Sequence, residues 1–256
     1  MSDSKKIFLG IDEAGRGSVI GPLVIGAVSV DVSTLEYYTG TEIADSKQLS
    51  PQKRLELYNT IKETSFSYST VVLEPFEIDK AVKSSTSNLN LLELQAMSQL
   101  IRNNPESTDI IIDAISKPDY CTTNLKTFLK QDSSFVSLKK INTETLRYSR
   151  EINTTKKYVT ILAQNKADVN FKVVSAASII AKVTRDKAIK ELEEQFSLEK
   201  GILASGYPNE HLQLFLQKYK TQIKKHEFPF IRYSWEWGPL KSIISPEKLK
   251  QTKIQF

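Results

Sequence analysis

The sequence predicts an α/β protein, because runs with the two-residue period of strands occur along with runs that have helical spacing. Residues 7–12 alternate in the manner of a pleated strand, and residues 109–113 have the continuous apolar centre of a buried strand. Leu55, Tyr58 and Ile61 recur three residues apart, which is the spacing of one helix face. Both kinds of element are therefore expected in one chain.

Composition describes an ordinary globular chain with a mild basic excess. The 256 residues are 40% hydrophobic and 25% charged, which suffices for one full core and a smaller appended lobe. The net charge of +5 and the pI near 9.0 are compatible with a polyanionic partner but do not establish one. The class of partner must therefore be inferred from motifs.

Cysteine and histidine are scarce. Cys121 is the single cysteine, which excludes an intrachain disulfide, and the two histidines, His211 and His226, leave no Cys/His cluster for zinc. Any metal must therefore be held by carboxylates. The first residues show no apolar signal region, and no apolar run reaches transmembrane length. We expect no membrane partner and a cytoplasmic protein, or a nuclear one if the source is eukaryotic.

The first strand ends on two acids, Asp12 and Glu13, just before a glycine turn. Gly15 and Gly17 let a ligand approach the backbone, and Arg16 between them is suited to phosphate. Carboxylates repel phosphate unless a cation lies between them, so the pair suggests a magnesium-type site acting on a phosphodiester. Both acids can serve one site only if the strand breaks there or one supplies a backbone oxygen. The alternative is a strand end followed by an ordinary turn.

The same stretch carries a family resemblance. The ribonuclease HII family, the type 2 ribonucleases H, has an N-terminal motif similar to Asp12 to Gly17 followed by Gly21-Pro22 and the apolar run of 23–30. The similarity favours type 2 over type 3 enzymes and the archaeal and eukaryotic catalytic-subunit branch. It implies a ribonuclease H-like mixed β-sheet flanked by helices, with a helical C-terminal part. We expect a catalytic domain over 1–200 and a helical, aromatic segment with a tail over 201–256.

Two further acids match the family's pattern. Asp113 ends the strand of 109–113, where an acid alone often starts a turn, and the resemblance makes it the third carboxylate. Asp168 lies in a Lys-Ala-Asp sequence ahead of a helix, and the resemblance makes it the fourth. Asp186 competes with Asp168, but it follows Lys182 by four residues on the later part of that helix, which favours an ion pair.

The resemblance implies that these carboxylates hold two magnesium or manganese ions. One ion would activate water for in-line attack on phosphorus, and the other would stabilise the departing 3′ oxygen, so no protein nucleophile is needed. The implied metal ligands and catalytic residues are Asp12, Glu13, Asp113 and Asp168.

The resemblance also implies three contacts with the substrate. The backbone of Gly15, Arg16 and Gly17 would recognise the 2′-hydroxyl that separates RNA from DNA. Tyr207, within Ser-Gly-Tyr-Pro, would stack on a sugar beside the cut, whereas by itself it would be a packed turn residue. Lys47, within Asp-Ser-Lys, would contact a phosphate, with a solvated loop lysine as the alternative.

The implied activity is endonucleolytic hydrolysis of RNA in RNA/DNA hybrids and at ribonucleotides embedded in duplex DNA. It would leave a 5′-phosphate on the downstream fragment and serve DNA replication and repair. Two alternatives belong to other classes. A noncatalytic hybrid-binding subunit would lack metal-dependent cleavage, and a DNA integrase or transposase of the same fold would cut an all-DNA duplex. Accessory subunits are expected if the chain is eukaryotic.

Local signals predict further elements. These are a helix over 51–62, a strand over 68–73, a helix over 91–101 and a helix over 173–200. Ser50 and Pro51 are typical of an N-cap and a first helical position, and Gly201 of a helix end. Small residues on the last helix should let its backbone lie close to a sheet. They are Ala176, Ala177, Ser178 and Ala181.

Weaker patterns occupy the middle and the end of the chain. Residues 120–163 are polar and lysine-rich, and we expect a family-specific elaboration with an extra helix or hairpin. The aromatic residues of 226–235 are expected at a core edge. The lysine-containing tail of 245–256 faintly resembles the Gln-x-x-aliphatic motif that docks on a sliding clamp, although the usual aromatic pair is incomplete. The residues concerned are Gln251, Ile254 and Phe256.

Overall fold

The computed structural model describes residues 6–45, 49–152 and 155–245. Within these residues the chain forms one seven-stranded sheet, in the order β3-β2-β1-β4-β7-β6-β5. The strands are β1 (Ile7–Ala14), β2 (Leu23–Asp31), β3 (Ser67–Leu73), β4 (Asp109–Asp113), β5 (Val136–Lys140), β6 (Thr145–Ile152) and β7 (Thr155–Gln164).

Helices alternate with the strands and make up the C-terminal part. A short 3₁₀ helix spans Glu42–Asp45. The α-helices are α1 (Val32–Thr39), α2 (Pro51–Thr64), α3 (Pro75–Lys83), α4 (Leu89–Asn103), α5 (Pro118–Leu129), α6 (Ala167–Asn170), α7 (Lys172–Gln195), α8 (Glu210–Lys218), α9 (Lys220–Lys224) and α10 (Gly238–Ile244). In the part of the chain that the structure covers, none of them is long and apolar enough to cross a membrane.

The sheet is mixed, as predicted. Strand β1 pairs antiparallel with β2 and parallel with β4, and β4 pairs parallel with β7. Strand β6 is antiparallel to both β7 and β5. Because β1, β4 and β7 run in one direction, their carboxyl ends meet at one edge of the sheet.

Helix α7 lies against the sheet with its backbone in close approach, as its small residues predict. A Cβ added at Gly10 would lie 2.2 Å from the carbonyl oxygen of Val173, and one added at Gly26 would lie 2.6 Å from that of Ala177. Because Ala181 is also small, the helix can approach Gly26 without a side chain between them. Glycine on the strands and alanine on the helix therefore set the distance between the two layers.

The predicted helix over 51–62 is α2, and Ser50 caps it, since its hydroxyl accepts the Lys53 N–H at 3.2 Å. The predicted apolar face was partly wrong. Leu57 and Ile61 are buried, four residues apart, whereas Leu55 is 44% exposed. Position 55 precedes position 57 by two residues and so lies on another side of the helix.

Helix α7 ends earlier than predicted. It stops at Gln195, and Ser197 adopts the left-handed conformation with φ +50°. The Leu198 N–H returns to the Glu193 carbonyl at 2.8 Å, which closes the helix in the manner expected of a C-terminal glycine. Gly201 has positive φ as well, but it lies in the turn that follows.

The polar middle segment holds more regular structure than predicted. It contains most of α5 and the strands β5, β6 and nearly all of β7, so it has both a helix and a hairpin. Strand β7 is also part of the main sheet, since it pairs with β4. Its alternation was missed because, over residues 156–164, only Val159, Ile161 and Ala163 are buried, while the first half of the strand is polar.

The chain groups into two compact units. One comprises residues 1–14, 24–71 and 90–183, and the other comprises 15–23, 72–89 and 184–256. The first unit has a core in which apolar residues of α7 pack with Val28 and Val30 of β2. The second has a separate core rich in aromatic residues. These include Phe215, Phe228 and Phe230. The division at residue 200 stays a prediction.

Candidate metal centre

Three carboxylates of the first unit converge on one point. One oxygen atom from each of Asp12, Asp113 and Asp168 lies within 4.8 Å of the others. Asp12 and Asp168 are each only 4% exposed, and Asp113 is partly exposed. An arrangement of like charges at this spacing is costly unless protons or a cation neutralise it.

The sheet register explains why these residues meet. Ile11 pairs with Ile112, so Asp12 and Asp113 each occupy the next position on two neighbouring parallel strands. Asp113 in turn pairs with Gln164 at the end of β7. Lys166 takes the left-handed conformation (φ +59°), which turns the chain into α6 and brings Asp168 back towards the same edge.

Backbone hydrogen bonds orient two of the carboxylates. The Ala167 N–H donates to Oδ1 of Asp113 at 2.9 Å, which ties the start of α6 to the end of β4. The Glu13 N–H donates to Oδ1 of Asp12 at 2.8 Å. Each of these two acids is therefore oriented by a backbone donor.

The Glu13 side chain lies outside this group of three. Strand β1 does not break at the acids, since Asp12 pairs with Gly26, Glu13 with Ile25 and Ala14 with Val24. Successive strand residues point to opposite faces, so Glu13 leaves the strand on the other side from Asp12. Its role as a ligand stays a prediction, with the backbone oxygen as the route that a continuous strand leaves open.

Burial and neighbouring charges perturb Asp12. Its pKa is raised from 3.8 to about 6, chiefly by desolvation. The negative charges of Asp113 and Asp168 add to this rise, and a hydrogen bond with the Ser178 side chain opposes it. A raised pKa in a carboxylate cluster indicates that the ionised form lacks a counter-charge within the protein. The cluster therefore fits a divalent cation, because such ions take oxygen ligands and supply the missing positive charge.

The glycine turn and Tyr207 lie together in the second unit. Gly15 has φ +92°, and its N–H donates to the Tyr207 hydroxyl at 3.0 Å. A Cβ added at Gly17 would make an ordinary van der Waals contact of 3.7 Å with the Tyr207 ring, so the ring lies directly beside the turn. Tyr207 remains 37% exposed, which leaves part of its ring accessible to a ligand.

Sequence reasoning missed the residue that supports this tyrosine. The Arg185 guanidinium is 4.9 Å from the centroid of the Tyr207 ring and only 2% exposed. Its Nη2 donates to the Ser18 hydroxyl at 2.7 Å and to the Ser205 carbonyl at 2.6 Å. Burial lowers the pKa of Arg185. Its place beside Asp186 in a charged helical stretch gave no sign of burial.

Other predicted residues fall elsewhere. Asp186 is not a member of the carboxylate group. The Arg16 carbonyl accepts Nη1 of Arg232 at 3.2 Å, and the Arg16 side chain is partly exposed. Lys47 and the proposed clamp motif of residues 251–256 lie outside the described residues.

The fold and the carboxylate cluster together define a ribonuclease H-like protein. The family model for ribonuclease HII matches residues 9–237. A ribonuclease HII of Methanococcus vannielii is 40% identical over 226 residues, covering 87% of this chain and 80% of that protein. This chain belongs to the ribonuclease HII family.

Solved structures agree with this assignment. The ribonuclease H2 of Pyrococcus horikoshii OT3 superposes with a TM-score of 0.71 at 29% identity, covering 97% of this chain and all of that one. The ribonuclease HII in a complex with PCNA from Archaeoglobus fulgidus gives a TM-score of 0.68 at 25% identity, covering 90% and 96%. The ribonuclease H-like fold predicted from the sequence is confirmed.

Family membership makes the chain an enzyme, a type 2 ribonuclease H with endoribonuclease activity. The comparisons give no support to a noncatalytic subunit or to an integrase. The relatives named above are archaeal, in line with the branch that the motifs favoured.

Proposed function

We propose that the enzyme hydrolyses RNA in RNA/DNA hybrids and cuts on the 5′ side of single ribonucleotides in duplex DNA, using magnesium or manganese. The observation that carries this proposal is the convergence of Asp12, Asp113 and Asp168 within 4.8 Å. Three oxygen donors from three different elements suit a hard cation, and the chain has too few cysteines and histidines for a zinc site.

The carboxylates have a defined task in this proposal. Asp12, Asp113 and Asp168 would hold the metal, with Glu13 as the further ligand that the family resemblance implies. Bound metal supplies an activated water and stabilises the charge that develops on the leaving oxygen. The Ala167 and Glu13 N–H groups keep Asp113 and Asp12 oriented, so the ligands need not rearrange as metal binds.

Selection of RNA is assigned to the glycine turn and Tyr207. Gly17 is exposed, and a backbone amide or carbonyl of the turn can hydrogen-bond a 2′-hydroxyl, which DNA lacks. The Tyr207 ring, 37% exposed, would stack against the sugar next to the cut. Lys47 would contact a phosphate nearby.

A sliding clamp is the protein partner that we propose for the C-terminal tail. The Archaeoglobus fulgidus ribonuclease HII forms a complex with PCNA. The match between that ribonuclease and this chain covers 90% of this chain. Gln251, Ile254 and Phe256 would make the contact. Deletion of residues 251–256 should abolish binding to the clamp of the same organism and leave cleavage of short duplexes unchanged.

Three duplexes of one sequence test the proposed function. They are a continuous RNA/DNA hybrid, a DNA duplex with one ribonucleotide, and the all-DNA duplex. We expect the purified enzyme to cut the first two with magnesium or manganese and to cut neither in EDTA. Calcium should permit binding with little cleavage. Equal cutting of the all-DNA duplex, or cleavage that survives complete metal removal, would contradict the proposal.

Asp113→Asn supplies the matched test of the metal centre. It removes one negative charge and leaves the shape of the side chain, and we expect cleavage to fall by orders of magnitude because metal stabilisation is worth several kcal/mol. Asp186→Asn makes the same change outside the carboxylate group and should keep most of the activity. Hybrid binding in calcium shows whether each variant is folded.

A further inference from the structure

A basic surface lies on one face of β5, β6 and β7. Lys139 pairs with Arg147 across β5 and β6, and Tyr158 pairs with Ser149 across β6 and β7. Lys139 and Arg147 are exposed, as is Tyr158 at 67%. We call Lys139, Arg147, Lys156 and Tyr158 the basic face. They line a shallow depression of about 290 Å³ with Ser137 and Ile141.

The other side of these strands is covered. Lys140, which pairs with Leu146, donates from Nζ to Asp119 and Thr123 of α5. Helix α5 therefore packs on the face that carries the buried Leu146. The four side chains of the basic face are exposed, so they are accessible to solvent or a ligand.

The pairing of Lys139 with Arg147 places two positive charges directly opposite each other. Directly opposed residues of an antiparallel pair have Cβ atoms about 5 Å apart, and like charges placed so destabilise the sheet. No described carboxylate forms an ion pair with either side chain within 4.0 Å. An anion bound between them would relieve the repulsion.

Lysines on an edge strand can serve another purpose, since they block edge-to-edge pairing. That explanation suits Lys139 on β5, but Arg147 lies on β6, which has a partner on each side. The Lys156 Nζ lies 5.8 Å from the centroid of the Tyr158 ring, which already offers it a partner, so we assign the anion to Lys139 and Arg147. Tyr158 adds an exposed ring of the kind that packs on sugars and bases.

The basic face and the metal centre share one side of the sheet. Arg147 pairs with Thr160, Thr160 pairs with Asp109, and Asp109 precedes Asp113 by four residues on β4. Two strand spacings and four residues of strand give a separation of about 16 Å between Arg147 and Asp113. Stacked base pairs rise about 3.4 Å each, so this equals about five base pairs.

We propose that Lys139 and Arg147 bind the phosphate backbone of the duplex substrate about five base pairs from the cut, with Tyr158 packing beside it. This inference rests on the proposed function, because the occupant is the duplex that the metal centre cleaves. The segment that carries it, β5 to β7, would enlarge the footprint of the enzyme on long duplexes and contribute nothing on short ones.

The test combines two double variants with duplexes of different length. Lys139→Gln with Arg147→Gln removes two positive charges from the basic face. Lys126→Gln with Lys130→Gln removes two from α5 and its C-cap, on the opposite face. Equilibrium binding is measured in calcium, with hybrids that extend either fewer than or more than about five base pairs beyond the cut on each side. Thermal unfolding checks that all variants are folded.

We expect the basic-face variant to bind the long hybrid about tenfold more weakly than the wild type, with a plot of log Kd against log salt about two units less steep. The short hybrid and the α5 variant should show no change. Equal losses for long and short hybrids, or for the two variants, would overturn the inference. So would a loss confined to single-stranded RNA, because the occupant would then not be a duplex.

Failure of this inference can be told apart from failure of the proposed function. Cleavage of the short single-ribonucleotide duplex by the wild-type enzyme tests the metal centre without the basic face. If that duplex is cut and the two double variants bind alike, the basic face alone is refuted. If it is not cut with either metal, the proposed function fails whatever the binding data show.

Discussion

The Arg185 guanidinium lies 4.9 Å from the centroid of the Tyr207 ring and is almost completely buried. It donates hydrogen bonds to the Ser18 hydroxyl and the Ser205 carbonyl, and these fix the position of the cation over the ring. The Tyr207 hydroxyl in turn accepts the Gly15 N–H. Arg185 therefore positions Tyr207 beside the glycine turn without needing to contact a substrate itself.

Arg185→Lys should impair the positioning of Tyr207. Lysine keeps the positive charge but cannot stack flat on the ring or supply the same fork of donors. A cation over a ring contributes about 0.5–2 kcal/mol, so we expect kcat/KM on a duplex with one ribonucleotide to fall about twofold to thirtyfold. The continuous hybrid should lose less, because neighbouring 2′-hydroxyls help to place the strand.

A double-mutant cycle separates positioning from general destabilisation. If Arg185 acts through Tyr207, adding Arg185→Lys to Tyr207→Ala should cost little further kcat/KM on the single-ribonucleotide duplex. Fully additive losses would show that Arg185 has a separate role. Urea unfolding of each variant gives the accompanying change in stability.

Sequence patterns predicted the elements whose two faces differ. The strand around Asp12 and the capped helix at Ser50 were found because their periodicity and caps are local signals. The strand β7 was missed, since Tyr158 and Lys156 are polar or exposed where a buried parallel strand would be apolar. A strand that is buried on one face only, and along part of its length, gives an apolar pattern too short to be recognised.

The metal centre shows a second limit of local patterns. Asp12, Asp113 and Asp168 are far apart in the chain, and only the register of β1, β4 and β7 brings them together. Family resemblance supplied the grouping that periodicity could not. Arg185 was missed for a different reason. An arginine in a charged helix normally faces solvent, so its burial was not expected.

Gly10→Ala should destabilise the fold through the contact between α7 and the sheet. Its new Cβ would lie 2.2 Å from the Val173 carbonyl oxygen, which belongs to helix backbone and cannot rotate away. Overpacking of this kind typically costs about 1–3 kcal/mol. Urea denaturation of the metal-free protein would measure the loss.

Gly238→Ala is the control for that substitution. A Cβ at Gly238 meets nothing within 4 Å, and the residue begins α10. Alanine there should leave the free energy of unfolding unchanged or raise it by up to about 1 kcal/mol, because it restricts the unfolded chain. A similar loss of stability in both variants would show that the close packing at Gly10 is not the cause.

Asp12→Asn should stabilise the metal-free protein at alkaline pH. In the folded chain the pKa of Asp12 is raised from 3.8 to about 6, chiefly by burial, so the folded state holds this proton more tightly than the unfolded state. The stability that this group contributes is fully present below about pH 4 and is lost as the pH rises through about 6. Asparagine carries no charge at any pH and avoids that loss.

The expected gain is about 1–3 kcal/mol at pH 8, and it should shrink towards pH 4. Urea unfolding in EDTA at the two pH values measures this gain. Asp186→Asn is the control, because it removes a carboxylate outside the cluster. An equal gain in stability at both pH values would show that the gain does not come from the titration of Asp12. Magnesium should reverse the ranking, because only the wild type keeps all three ligands.

Asp168→Asn decides which acid near α7 completes the metal centre. Asp168 contributes an oxygen within 4.8 Å of those of Asp12 and Asp113, whereas Asp186 does not belong to the group. Loss of one ligand weakens both metal binding and the stabilisation of charge at the transition state, so cleavage by Asp168→Asn should fall by orders of magnitude. Asp186→Asn should stay within about tenfold of the wild type. Isothermal titration with manganese adds a readout that is independent of turnover. Tighter manganese binding by Asp168→Asn than by Asp186→Asn would show that the ligand is Asp186 on the helix.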